Sequence, residues 1–175
     1  GTPSGGWLQS SPIIPNLGFC LSNRGQMFWL DEKSPACIGP KRRPRTTLSP
    51  SLALKDGLPY MVFGTPGGDQ QDQWSLHLFL RHIHFGLNLQ EAIDAPGFST
   101  AHFPNSFFPR ETDIGHLALE GRFPKETIKE LIKRGHKVSV DSDWSLGRMT
   151  AASMDNGILK GAANPRFMQG YAIGR

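Results

Sequence analysis

Cysteine is scarce in this 175-residue chain, and no long apolar run is present. The two cysteines, Cys20 and Cys37, form no CxxC motif and have no histidine pattern beside them, so they predict no metal site and leave their pairing open. No apolar stretch is long enough to span a bilayer, and the chain does not open on a basic-then-apolar signal segment. We therefore expect two structural cysteines and no membrane span, while the compartment stays open between the periplasm or exterior and the cytoplasm.

Motifs of several large enzyme classes are also missing. The chain contains no HExxH, GxSxG, Walker or GxGxxG motif, the usual signatures of zinc proteases, serine hydrolases and nucleotide-binding enzymes. His82 and His84 are two residues apart and so lie on different faces of a helix, which is a poor arrangement for metal binding. We expect neither a metal nor another cofactor.

The charge balance is mildly basic, with 19 Lys and Arg against 15 Asp and Glu and a formal net charge of +4. The densest cluster of basic residues lies at 41–45. Such clusters are usually solvated faces, and no stacking aromatics are interleaved with this one, so we expect no nucleic-acid partner. Anionic small molecules fit the charge better.

Glycine and proline are abundant, with 20 and 14 residues, and they predict many turns and short elements. Asp56-Gly57 separates apolar runs at 51–54 and 60–63, and Asn156-Gly157 separates runs at 149–154 and 158–163. Such dipeptides between apolar runs strongly favour β-hairpins. With the helices below, these strands predict one α+β domain over residues 1–175.

The most informative stretch is Gly-Thr-Pro-Gly-Gly-Asp at 64–69. It ends a strand-like run at 59–63 and opens a helical pattern to about Phe85, whose apolar residues recur on more than one side, so we expect a largely buried helix. Two adjacent glycines at a helix start leave N–H groups unshielded, where the positive end of the helix dipole favours a developing negative charge. An oxyanion hole is built in this way, although a plain strand-to-helix turn has the same pattern.

Two further helices are predicted. A short helix at 89–95 should stop before Pro96. The other is an amphipathic surface helix with Pro124 at its first position, Gly135 just past its end and a Glu130–Arg134 pair one turn apart. The remaining predictions are strands at 17–21 and 137–140, a loop at 31–44, and no regular structure assigned to 97–110.

Four motifs occur in order along the chain: Asn-Arg-Gly at 23–25, Lys-Arg-Arg-Pro-Arg-Thr-Thr-Leu-Ser-Pro at 41–50, Pro-Gly-Gly at 66–68 and Asn-Pro-Arg at 164–166. In this order and spacing the chain resembles the small subunit of the γ-glutamyltransferase (γ-glutamyltranspeptidase) family, in the N-terminal nucleophile hydrolase superfamily. The resemblance covers nearly the whole chain. It implies the small-subunit portion of an αββα sandwich, shared with a large subunit cut from the same precursor.

The resemblance also implies catalytic roles. Gly67 and Gly68 would form the oxyanion hole, and Ser4 would hydrogen-bond the amino group of the nucleophile. The family's nucleophile is a threonine made N-terminal by self-cleavage, with its own α-amino group as base. Its Thr-Thr-His-like stretch is not found here, and Thr2, followed by proline, matches a downstream position better. We therefore expect the chain alone to be inactive; Ser4 could equally be an ordinary strand serine.

Three residues are implied in substrate binding. Arg24 would grip an acidic substrate end with its planar fork of donors, and Thr46 and Thr47 match a hydroxyl pair that holds the substrate carboxylate. A loop-bracing salt bridge is the alternative for Arg24, and strand-forming β-branched residues are the alternative for the two threonines.

Two positions depart from the family pattern. An acidic residue that binds the substrate's α-ammonium aligns with Met27, and an asparagine of the same pocket aligns near Gly6. Methionine cannot accept a charge-assisted hydrogen bond, so recognition of a free α-amino group is in doubt.

These observations predict an acyltransferase or amidohydrolase that forms an acyl-enzyme on small γ-glutamyl or related acidic amide substrates. The alternative is a catalytically silent scaffold that binds anionic ligands or a partner protein. The expected partner is the large subunit, and without it we expect self-association through exposed apolar sheet edges.

Overall fold

The computed structural model describes residues 13–18, 20, 22–168 and 170–174. By their contacts these residues divide into two units. The first unit takes its residues from Gly1–Leu48 and Asn105–Glu111, and the second from Ser49–Pro104 and Thr112–Arg175. A single domain over 1–175 stays a prediction.

The described part of the first unit consists of loops, short bridges and one 3-10 helix. A 3-10 helix, Arg24–Met27, directly follows Asn23. A parallel bridge between Trp29 and Cys37 closes the loop between these two residues, and the predicted loop at 31–44 is confirmed.

The start of the strand predicted at 17–21 is wrong. Leu17 lies in a turn because its N–H bonds back to the carbonyl of Ile14 at 3.2 Å. Cys20 forms an isolated bridge with Ile13, while residues 19 and 21 lie outside the described part of the chain. Cys20 and Cys37 are both free thiols.

Two sheets belong to the second unit. Their strands are β1 (Ser51–Lys55), β2 (Leu58–Gly64), β3 (Phe98–Thr100), β4 (His116–Glu120), β5 (Lys137–Asp141), β6 (Thr150–Asp155) and β7 (Ile158–Ala163). One sheet is antiparallel in the order β1-β2-β6-β7. In the other, β4 pairs antiparallel with β3 and parallel with β5.

Both predicted hairpins are confirmed, and their turns explain them. Asp56 and Gly57 have φ of 53° and 79°, and Asn156 and Gly157 have φ of 50° and 77°. Positive φ at both central residues is the turn geometry that matches strand twist, and Asp-Gly and Asn-Gly tolerate it well. These two turns therefore specify the β1–β2 and β6–β7 pairings of the four-stranded sheet.

The three predicted helices are present as α1 (Gln71–Ile83), α2 (Leu89–Asp94) and α3 (Lys125–Lys133). Helix α2 begins with a capping box, in which Asn88 and Glu91 each accept the other's backbone N–H. Pro124 is the residue before α3 rather than its first position, and the Glu130–Arg134 ion pair is confirmed at 3.0 Å.

The expectation that the first helix is largely buried is wrong. Leu78 of α1 is 1% exposed, whereas Leu76 is 54% exposed. Helix α1 contacts α2, β2 and β3, but Leu76 and Ile83 remain exposed, so the helix is only partly buried. The core between the sheet and helices α1 and α2 consists of Met61, Leu78, Leu89, Ala92, Ile93, Met149, Ala151 and Ala162.

The opposite face of the four-stranded sheet is apolar and open. Leu52, Val62, Ala152 and Gly161 stand in register across the four strands. They line a groove of about 660 Å³ together with the segment 171–173. Helices therefore cover one face of this sheet, and no described residue outside that segment covers the groove.

A buried carboxylate ties the loops of the second unit together. Glu120 has no exposed side-chain area, and its ion-pair partner Arg166 is 1% exposed. One oxygen accepts Arg166 Nε at 2.5 Å and the N–H groups of Ser145 and Leu146 at 2.9 Å. The other accepts Arg166 and Arg122 at 2.6 and 2.8 Å and the Gly97 N–H at 2.8 Å.

This network decides the charge of Glu120. Burial alone would raise the pKa of its carboxyl, but the hydrogen bonds from Arg166, Gly97, Leu146 and Arg122 outweigh burial and lower it to about 2. A carboxyl with a lowered pKa stabilises the fold above its ordinary pKa near 4.5, and that contribution disappears as pH falls towards 2.

We predict that Glu120→Gln lowers the free energy of unfolding at pH 7 by about 3–5 kcal/mol, because Arg166 is left as a buried charge without its carboxylate. The difference from wild type should shrink as pH falls below 4.5. Urea unfolding of the protein at a series of pH values measures it. Glu126→Gln is the control, since Glu126 forms an exposed pair with Lys129 and should cost under about 1 kcal/mol. Equal losses for the two variants would contradict the prediction.

Candidate active site

The glycine turn lies where the sequence predicts it, between strand β2 and helix α1. Gly67 has φ of 146° and Gly68 has φ of 60°, and Gly68 opens a 3-10 helix, Gly68–Gln70, that continues into α1. Both φ values lie in the region that side-chain-bearing residues rarely adopt. The paired glycines are therefore required by the backbone path itself.

The two glycine N–H groups are unpaired within the described part of the chain. Neither N–H forms a hydrogen bond to a described backbone or side-chain acceptor, and both residues are half-buried. Each backbone N–H is an obligatory donor, so these two groups are open to an external acceptor. They stand ahead of the 13-residue helix α1, whose dipole favours negative charge at this end. The turn can therefore bind an anion or a developing oxyanion.

The indole of Trp74 packs against this turn. A Cβ on Gly67 would collide with Trp74 Cζ3, and a Cβ on Gly147 would lie 3.4 Å from Cγ and Cδ2 of the same ring. Trp74 Nε1 donates to the carbonyl of Phe98 at 3.1 Å. The sequence indicates Trp74 only as an apolar residue of a helix, because nothing local shows that its ring covers two glycines.

Arg24 lies at the start of the 3-10 helix Arg24–Met27 in the first unit. Its guanidinium carbon is 5.3 Å from the ring centroid of Phe107, a cation–π contact within that unit. Met27, at the other end of the helix, is 1% exposed. Met27 is a core residue here, and not a side chain presented to a ligand.

Thr46 and Thr47 differ in their surroundings. Thr46 is exposed, and its hydroxyl accepts the N–H of Leu48 at 3.1 Å. Thr47 is 7% exposed, and its buried hydroxyl has no hydrogen-bond partner among the described residues. Neither belongs to a strand, since β1 begins at Ser51, so the strand-forming alternative is wrong. Of the two, Thr47 has the hydroxyl that still lacks a partner.

The predicted site residues fall into two groups. Arg24, Thr46 and Thr47 belong to the first unit, and Gly67 and Gly68 lie together in one turn of the second. Ser4 lies outside the described residues.

One histidine of helix α1, His77, has a strongly shifted pKa. Burial, and then the charge of Arg81, lower the pKa of His77 to about 4, so its imidazole is neutral at pH 7. The ring stacks on Phe98 with centroids 3.8 Å apart.

Within the described ranges, no group of three or more metal-ligating side chains is found, and no helix is long and apolar enough to cross a membrane.

Comparison with known proteins decides the family. The family model for gamma-glutamyltranspeptidase matches residues 2–174. The chain belongs to the gamma-glutamyltranspeptidase family. Solved gamma-glutamyltranspeptidases at 20–24% identity align with TM-scores of 0.67–0.69, which shows the shared fold. The predicted fold class is confirmed: the chain is α+β and has the fold of the small-subunit portion of these N-terminal nucleophile hydrolases.

Three relatives show the range of the family. The chain is 37% identical over 161 residues to the oxamate amidohydrolase proenzyme of Klebsiella pneumoniae, covering 90% of this chain and 29% of that protein. It is 34% identical over 168 residues to the glutathione hydrolase-like YwrD proenzyme of Bacillus subtilis, covering 94% and 31%. The solved structure of LmbA2991HD aligns with 55% identity and a TM-score of 0.88 over 99% of this chain and 31% of that one. The chain thus spans about a third of the length of these relatives.

We predict that Gly67→Ala lowers the free energy of unfolding by roughly 2–4 kcal/mol, because alanine must adopt a glycine-only φ and its Cβ collides with Trp74. Thermal unfolding measures the loss. Gly115→Ala is the matched control: Gly115 also has positive φ, 82°, but no atom within 4 Å of its Cβ position. It should cost about 1–2 kcal/mol. A loss at Gly67 no larger than at Gly115 would rule out the Trp74 contact as a constraint.

Proposed function

We propose that this chain supplies the oxyanion hole and substrate-binding residues of a γ-glutamyltransferase-like acyltransferase or amidohydrolase. The observation that carries the proposal is that the half-buried residues Gly67 and Gly68, ahead of helix α1, have N–H groups without a hydrogen-bond acceptor among the described residues. Membership of a family of hydrolases and transferases supports it.

The proposed reaction follows the chemistry of N-terminal nucleophiles. A threonine hydroxyl attacks the amide carbon of the substrate while the threonine's own α-amino group takes the hydroxyl proton. The carbonyl oxygen becomes an oxyanion and accepts the N–H groups of Gly67 and Gly68. The amine leaves with the proton, and water or a second amine then takes the acyl group from the threonine. Ser4 is proposed to hydrogen-bond the threonine's amino group.

The substrate is proposed to be an amide with an acidic acyl end. Arg24 can supply a charge-assisted pair of hydrogen bonds to a carboxylate, and the unsatisfied Thr47 hydroxyl, with Thr46, can supply a neutral donor. Met27 is buried and offers no carboxylate to an ammonium group. An anionic amide without a free α-amino group, of which oxamate is the simplest example, fits this set of residues.

The partner is proposed to be a large subunit from the same precursor. The relatives are proenzymes about three times as long as this chain, and the apolar outer face of the four-stranded sheet supports a covering partner. Because apolar surface gains free energy when buried, the chain without that partner should self-associate. The edge strands β1 and β7 also have exposed apolar residues, among them Leu54 at 60% and Leu159 at 80%, so self-association through apolar sheet edges stays a prediction.

The oxyanion hole is tested by replacing Gly68 with glycolic acid, which changes the backbone N–H to an ester oxygen and leaves the residue without a side chain. We predict a loss of about 100- to 1,000-fold in kcat in the processed full-length enzyme, the usual cost of removing one oxyanion donor. Steady-state kinetics with oxamate and a γ-glutamyl anilide measure it.

The same ester at Gly86 is the control, because Gly86 also has positive φ and its N–H has no described acceptor. It should leave kcat within about twofold of wild type. If the ester at Gly68 is as active as the one at Gly86, Gly68 is not an oxyanion donor. Proline at Gly68 is a weaker test because its fixed negative φ cannot match the observed 60°.

Arg24→Ala should raise KM for acidic amides about 10- to 100-fold, because a charge-assisted pair of hydrogen bonds is lost. The KM of the corresponding uncharged amide should change little. Arg43→Ala is the control, since Arg43 is exposed in the same basic segment and its loss changes the net charge equally. An unchanged KM for the acidic substrate in Arg24→Ala would reject the role of Arg24.

A further inference from the structure

We propose that Thr65 and Trp74 are positioning residues that set the directions of the Gly67 and Gly68 N–H groups. The inference rests on the proposed function, because those N–H groups are the proposed oxyanion donors. It concerns how they are held in place, and it follows from contacts within the second unit alone.

The Thr65 hydroxyl holds the first peptide plane. It accepts the N–H of Arg148 at 3.1 Å and donates to the carbonyl of Pro66 at 2.7 Å. A hydroxyl has one proton, and the bond received from Arg148 occupies a lone pair, so the proton is left for the Pro66 oxygen. The Pro66 carbonyl and the Gly67 N–H belong to one planar trans peptide and point in opposite directions. Holding that oxygen therefore fixes the direction of the Gly67 N–H.

The second peptide plane is held in the same way. The carbonyl of Gly67 accepts the N–H of Gln70 at 3.3 Å. This carbonyl shares its peptide with the Gly68 N–H, which must point away from Gln70. Both carbonyls are thus engaged by the protein while both N–H groups are left for a ligand.

Trp74 keeps the turn from relaxing. Its ring lies against Gly67 on one side and Gly147 on another, and its N–H is fixed to the Phe98 carbonyl. Gly147 precedes Arg148, whose N–H donates to the Thr65 hydroxyl. The contacts therefore form a closed circuit that runs from Gly67 through Trp74 and Gly147 back to Thr65. The indole fills the space where a Cβ of Gly67 would stand, so the turn cannot move towards the ring. Trp74 therefore restricts the backbone that Thr65 orients.

The test is the set Thr65→Val, Thr65→Ser and Thr112→Val in the processed full-length enzyme. Valine keeps the shape of threonine and removes the hydroxyl, while serine keeps the hydroxyl. Thr112 is the matched control, since its hydroxyl also donates to a backbone carbonyl, that of His102 at 2.8 Å, in the second unit. We expect Thr65→Val to lose about 10- to 100-fold in kcat with KM nearly unchanged, somewhat less than deletion of a donor costs. Thr65→Ser should recover most of the loss, and Thr112→Val should match wild type.

A purely structural role for Thr65 predicts a different result. It would lower the unfolding temperature of Thr65→Val and Thr112→Val alike, without a selective fall in kcat. Trp74→Phe is a second, independent variant. It removes the indole N–H that donates to the Phe98 carbonyl and places a smaller ring beside Gly67. It should show the same selective fall in kcat, and it decides the question if Thr65→Val fails to fold.

The outcomes separate this inference from the proposed function. If wild-type enzyme turns over neither oxamate nor a γ-glutamyl anilide, the proposed function fails and this inference fails with it. If wild type is active and Thr65→Val, or Trp74→Phe in its place, keeps wild-type kcat, only this inference is overturned. A fall in kcat that serine at position 65 restores supports both.

Discussion

The buried carboxylate of Glu120 is the constraint on which the second unit depends. Its two oxygens accept bonds from Arg166, Arg122 and three backbone N–H groups, so it joins the end of β4 to the loops at Gly97 and 145–146. Arg166 also donates to the carbonyls of Ile93 and Ala95 at the end of α2. Replacing one buried charge with a neutral group would leave the others unmatched, so the arrangement is specified as a whole.

The same network reaches the glycine turn through packing. Leu146, held by Glu120, precedes Gly147, whose backbone lies against Trp74 and whose carbonyl accepts Asn164 Nδ2 at 3.4 Å. The Asn-Pro-Arg motif thus makes two contacts with this region: Arg166 pairs with Glu120, and Asn164 donates to the Gly147 carbonyl. A motif that marks the family in sequence is, in the structure, part of the support beneath the proposed oxyanion hole.

Local signals predicted much of this fold, and long-range contacts account for what was missed. Asp56-Gly57 and Asn156-Gly157 specify their hairpins because the turn needs positive φ, and the paired glycines mark the turn before α1 for the same reason. The burial of α1 was overestimated because periodicity does not show how many neighbours a helix has. Glu120 and Trp74 could not be assigned from sequence, since the partners of Glu120 other than Arg122 lie 23 to 46 residues away and the acceptor of Trp74 lies 24 residues away. The roles of Arg24 and Thr47 rest on family resemblance, because an arginine and a threonine in loops have no pattern of their own.

The uncovered side of the four-stranded sheet has a thermodynamic consequence. The hydrophobic free energy of Leu52 and Val62 is realised only when another surface takes the place of water there. A binding partner that recognises the folded sheet and not the unfolded chain raises the apparent stability by mass action. Melting temperatures of this chain should therefore depend on the concentration of whatever covers that side, so its stability cannot be treated as a property of the isolated polypeptide.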